Sequence, residues 1–128
     1  MKAAYIVVEG KQNADLLRQM LPINFLPDIE IIGMSSWYAA FSLASTIMSE
    51  RSRPVILIVN AQSNDSGQIQ ERIQNLESLM LPASSSAPYK AMVAVPSIEA
   101  IAQESNHSKS VLVKQIVDFL SLSLTQAA

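Results

Sequence analysis

With 128 residues, 49% of them apolar and 16% charged, the chain is long enough to bury a core and too apolar for a disordered segment. No apolar run reaches the roughly 18 residues of a spanning helix, the strand-like N-terminus does not read as a signal peptide, and the lack of cysteine removes disulfides, thiolate metal sites and cysteine nucleophiles together. A cytoplasmic protein is the expectation. The net charge of −2 comes from cations scattered among acids, with only Arg51 and Arg53 close together, so charge does not indicate nucleic-acid binding.

Along the chain, residues 4–8 form an apolar run that ends in Glu9-Gly10, and Leu16, Leu17, Met20 and Leu21 then recur at helical spacing over 13–21. Pro22 and Pro27 punctuate a loop. Ile29, Ile31 and Ile32 predict a strand closed by Gly33. Trp37, Phe41, Ala44 and Met48 lie on one face of a helix running from Ser36 to Ser49, with Ser35 or Ser36 as its cap.

After a polar stretch to Pro54, residues 55–59 are continuously apolar and rich in β-branched side chains, the pattern of a strand buried on both faces. A loop from Asn60 to Gly67 follows, and Ile69, Ile73, Leu76 and Met80 mark a further amphipathic helix. Residues 81–88 read as a Ser/Ala/Pro loop, Ala91–Val95 as a fourth strand, and Ser97 onwards as a short helix. Asn106 to Ser110 is a polar break before a last helix with Val113, Ile116, Val117, Leu120 and Leu124 on its face. Strands alternating with helices predict a three-layer α/β/α fold, with a mostly parallel sheet of about four strands in a single domain over 1–128.

In such a sheet, function resides at the carboxyl ends of the strands. Those ends are Glu9-Gly10-Lys11, Gly33 to Ser36, Asn60 to Asp65, and Pro96 to Glu99. The Val8-Glu9-Gly10-Lys11 turn, followed by Asp15 and Leu16-Leu17, resembles the first motif of TOPRIM domains, in particular the small ones related to overcoming-lysogenization-defect nucleases. The Pro96-Ser97-Ile98-Glu99-Ala100 segment resembles a late motif of the same group, so the likeness spans roughly residues 4–102. It implies a TOPRIM/Rossmann-like sheet, a strand-end Glu at Glu9, and a second strand end bearing Asp-x-Asp. In the family these acids hold Mg²⁺ for phosphodiester chemistry.

The chain departs from that pattern where the metal belongs. Asn60 and Gln62 stand at the two Asp positions. Mg²⁺ takes hard oxygen ligands and usually one or two carboxylates. Losing one carboxylate beside a divalent ion at ~4 Å removes a gross attraction of about 8 kcal/mol at an effective dielectric near 20. The template therefore predicts a degenerate active site, without enzymatic activity.

Glu9 has two readings: the surviving metal ligand or general acid/base of the motif, or a strand-end Glu accepting backbone N–H groups in the Gly10 turn. Gly10 itself is expected to supply a positive φ or a close backbone approach. Asp65 either swings back towards Glu9 or caps the following helix. Glu99 either completes a Glu9–Asp65–Glu99 metal site or favours a helix dipole from the first turn, as Asp15 would on its own helix. Lys11 and Ser36 are candidate anion contacts. His107, alone of its type, has no supporting cast for zinc or a triad. Trp37 and Tyr38 read as core or interface.

Three functions follow as expectations. The first is a binding or regulatory module with a protein partner or self-association, a homodimer being consistent with the apolar composition. The second is a weak Mg²⁺-dependent nuclease or phosphotransferase using Glu9, Asp65 and Glu99. The third is a non-cleaving nucleic-acid binder, which requires Lys11, Arg51 and Arg53 to share a face.

Overall fold

Four parallel strands form one sheet in the order β2-β1-β3-β4: β1 (Ala4–Glu9), β2 (Ile29–Met34), β3 (Val55–Asn60) and β4 (Tyr89–Ala94). Five helices flank it: α1 (Lys11–Met20), α2 (Trp37–Arg51), α3 (Ser66–Met80), α4 (Ile98–Gln103) and α5 (His107–Ala127). This computed structural model describes residues 2–61, 65–80, 87–95, 97–103 and 107–127. The three-layer α/β fold expected from the alternating pattern is the one observed.

Side-chain alternation sorts the core into two halves. Ile6, Val8, Ile56, Ile58, Met92 and Ala94 project to one face and are covered by Leu17 of α1, Ile98 and Ile101 of α4, and Leu112, Ile116 and Leu120 of α5. Tyr5, Val7, Val55, Leu57 and Val59 project to the other, against Ala40, Ala44, Ile47 and Met48 of α2 and Leu76 of α3. The two central strands therefore have no polar side chain before their last residue, as burial on both faces requires. At about 25 cal/mol per Å² of apolar surface, each fully buried Ile or Leu in these strands contributes about 2 kcal/mol.

Several boundaries differ from the expected ones for local reasons. The segment between Pro22 and β2 winds into a 3₁₀ turn (Ile23–Asp28) rather than an open loop. Gly33 lies inside β2 instead of closing it, because the start of α1 crosses directly above: a Cβ on Gly33 would stand 2.7 Å from the Lys11 backbone. β4 starts two residues early, at Tyr89-Lys90, because a lysine is tolerated on an edge strand. α2 runs to Arg51 and stops where Ser52 turns to φ 52° and donates its N–H to Met48 O at 3.2 Å. α5 already begins at His107, within the stretch read as a polar break.

Strand order places the site. The chain steps from β1 to β2 on one side, then returns to lay β3 on β1's other side. The order reverses between β1 and β3, and open α/β sheets place their ligand crevice outside the carboxyl ends at that reversal. Glu9 and Asn60 are the last residues of these two strands.

Candidate functional site

At the end of β1 the backbone turns through Gly10 at φ +99°, a conformation that side-chain-bearing residues rarely adopt, and Gly10 N–H donates to Met34 O at 2.6 Å. No side chain caps α1 at Gly10. Instead Asn13, which is buried, folds back so that Nδ2 donates to the Glu9 carbonyl at 2.7 Å. This ties the first turn of α1 to the end of β1.

The Glu9 carboxylate crosses the crevice. Its Oε1 accepts the backbone N–H of Asn60 at 2.9 Å, joining the ends of β1 and β3. Arg72 of α3 approaches the same oxygen at 3.9 Å, the outer limit of an ion pair, with its guanidinium 5.8 Å from the centre of the Trp37 ring. Asn60 extends the chain of contacts: its side-chain Oδ1 accepts the N–H of Ile98, the first residue of α4, at 2.9 Å. Ser97 Oγ accepts Ala100 N–H at 3.1 Å in the same turn. Glu9 and Asn60 thus form a clasp tying β1, β3 and α4, with Arg72 of α3 leaning on it.

The other sequence-predicted residues have separate posts. Asp65 Oδ2 accepts Gln68 N–H at 2.9 Å, the N-cap geometry at the start of α3. Ser36, and not Ser35, caps α2, accepting Ala39 N–H at 3.1 Å. Glu99 is exposed in the first turn of α4 and borders a depression shared with Gln12, Asp15 and Leu16 of α1. Asp15 lies beyond the first turn of α1, so the expected dipole role gives way to an ion pair with Arg18. Lys11 is exposed at the start of α1. Gln62, Pro96 and Ser84 to Ser86 lie outside the described residues, as does the side chain of His107.

Glu9, Asp65 and Glu99 are not brought together. Among the described residues no group of three His, Asp or Glu side chains could hold a metal ion. The donor set also fits Mg²⁺ poorly: Glu9 Oε1 already takes a backbone N–H, and the neutral oxygen of Asn60 takes another. Lys11, Arg51 and Arg53 do not share a face either. Lys11 follows the carboxyl end of β1, whereas Arg51 and Arg53 precede the amino end of β3, parallel to it. A six-residue strand of about 20 Å separates the two ends. Arg51 there lies 5.1 Å from the centre of the Tyr5 ring.

Two residues of the clasp were not singled out by pattern: Asn13 and Arg72. Both carry a readable signal, a polar residue on an apolar helical stripe. Asn13 stands four before Leu17, and Arg72 stands between Ile69 and Leu76. Each also has a buried atom with no hydrogen-bond partner among the described residues, Asn13 Oδ1 and Arg72 Nε. No family model, curated protein or solved structure matches this chain. Fold and strand-end geometry therefore define a class, a parallel α/β domain whose switch-point crevice is bridged by its own side chains.

Proposed function

We propose that this chain is a TOPRIM-like binding module without catalytic activity, in which the strand-end positions of the nuclease template have become a structural clasp, and that it works through a protein partner. The observation that carries the reading is the pair of bonds Glu9 Oε1 to Asn60 N–H and Asn60 Oδ1 to Ile98 N–H. A metal-dependent phosphodiesterase needs carboxylates converging on one ion. Here the acids serve separate ends: Glu9 bridges two strands, Asp65 caps α3, and Glu99 faces outward on α4.

The test is calorimetric titration of Mg²⁺ and Mn²⁺ into the wild-type protein, Glu9→Gln and Asn60→Asp. The reading expects no saturable binding in the wild type. Asn60→Asp restores a carboxylate beside Glu9 and should acquire divalent-dependent thermal stabilisation that the wild type lacks. Saturable wild-type binding at or below millimolar concentration, abolished by Glu9→Gln, would overturn the reading in favour of a metal-dependent enzyme.

A further inference from the structure

The two edges of the sheet are finished differently. Gly10 N–H bonds Met34 O, so alternate residues of β2 face β1, and Ile31 turns its N–H and C=O outward. There Ile31 is buried and its carbonyl accepts from Arg18 Nη2 at 2.7 Å, so the middle of that edge has a side-chain partner. On β4, Val55 N–H takes Pro88 O and Ala61 N–H takes Ala94 O, so Ala91 and Val93 direct their backbone groups away from β3. These outward groups have no hydrogen-bond partner among the described residues. An open edge of this kind is a template for another strand.

The surroundings of the β4 edge are apolar. A groove runs along it between Ile73 of α3 and Val111 and Gln115 of α5, with Lys90 as its one charged residue. Val111 is 38% exposed, and on the same flank of α5, at spacings of four, three and four, come Gln115, Asp118 and Leu122, the last 61% exposed. Two large apolar side chains on this flank of α5 are therefore exposed, and one of them, Val111, borders the groove along β4.

We infer that a second copy of this chain pairs antiparallel with the β4 edge, making one continuous eight-stranded sheet about a two-fold axis. Self-pairing suits this edge because an antiparallel two-fold sets the outward N–H and C=O groups of one copy against those of the other. The flank of α5 is self-complementary in the same sense. In an antiparallel pairing of two α5 helices, Val111 of one copy meets Leu122 of the other, and the Gln115 amide meets the Asp118 carboxylate. The size also fits. A strand of about 20 Å within three layers about 30 Å thick presents on the order of 600 Å² in projection, and side-chain relief brings it towards the ~800 Å² per partner of a stable dimer. The inference is independent of the clasp, since metal binding at Glu9 would not change which edge is open.

Sedimentation velocity over a wide dilution series tests it, with three variants. The wild type should sediment as a reversible species of twice the 14.0 kDa chain mass. Val93→Pro removes an N–H that the β3–β4 ladder does not use, and Val111→Lys charges the exposed flank; both should be monomeric with unchanged circular dichroism. Ile23→Lys, at an exposed position before β2, should remain dimeric. Hydrogen exchange at Ala91 and Val93 should be slow in the wild type and fast in Val111→Lys. If Val93→Pro fails to fold, Val111→Lys decides alone. A wild type that is monomeric throughout, a dimer indifferent to Val111→Lys, or one broken by Ile23→Lys would each overturn the inference.

Discussion

If the strand-end carboxylate is a clasp, removing it destabilises the protein; if it is a preserved catalytic acid, removing it relieves strain. The sign of the effect separates the two. Glu9→Ala deletes the acceptor of Asn60 N–H at a side chain only 13% exposed. A charge-assisted bond of this kind is worth about 1.5–3 kcal/mol, because the donor left behind is partly shut off from water. The Arg72 contact adds little: at 3.9 Å it is long, and such pairs contribute under about 1 kcal/mol. Glu9→Ala should therefore cost about 2–3 kcal/mol, a fall in Tm of about 6–12 °C for a domain of this size. Glu9→Gln keeps an oxygen for Asn60 N–H and loses only the charge, so it should cost about 1 kcal/mol. Urea denaturation followed by circular dichroism, at fixed ionic strength and with chelator present, measures both. A neutral or stabilising Glu9→Ala would refute the clasp and point to a function that keeps the acid at the expense of stability.

Gly33→Ala should destabilise by about 1–3 kcal/mol, since its Cβ would meet the Lys11 Cα and carbonyl at 2.7 Å and the Gly10 carbonyl at 2.8 Å, and backbone cannot swing aside as a side chain can; thermal denaturation reads it directly. Lys114 on α5 is fully exposed, and its pKa is raised above the ordinary lysine value of 10.5 by a hydrogen bond from its ammonium to Asp118 and by the charge of that carboxylate. A raised lysine pKa means that the stabilisation is complete below the ordinary value and is lost as pH rises through the folded one. Wild type and Asp118→Asn should therefore differ by a small constant amount from pH 6 to 9 and converge only in strong alkali. An NMR titration of the Lys114 side chain that shows no downward shift in Asp118→Asn would contradict this account.

Much of the fold was legible because its signals are local. The apolar runs at 4–8 and 55–59 are buried on both faces, Ser36 and Asp65 are caps, and Gly10 takes the positive φ that its turn implied. What escaped depends on partners distant in the chain. Asn13, three residues inside α1, ties the helix start to β1 by donating from Nδ2 to the Glu9 carbonyl, and the helix starts at Lys11 with no side-chain cap before it. Gly33 reads as a terminator until α1 is seen to cross it. Tyr89-Lys90 reads as loop until strand order makes β4 an edge.

The site was half legible, and the missing half concerns Asn60. Set against an Asp-x-Asp template, an asparagine reads only as a loss. In the fold its backbone N–H lies 2.9 Å from Glu9 Oε1 while its side-chain oxygen holds Ile98 N–H, so one residue serves both contacts of the clasp. An aspartate could accept from Ile98 equally well, but it would place a second carboxylate beside Glu9. Two like charges ~5 Å apart at an effective dielectric of 20 repel by about 3 kcal/mol. With a divalent ion between them that repulsion becomes the reason for the site; without one, the neutral amide is the residue that lets the crevice close. Thus a neutral side chain at position 60 holds Ile98 N–H through Oδ1 while the Asn60 backbone N–H engages Glu9 Oε1, and the connection forms without a second charge beside Glu9.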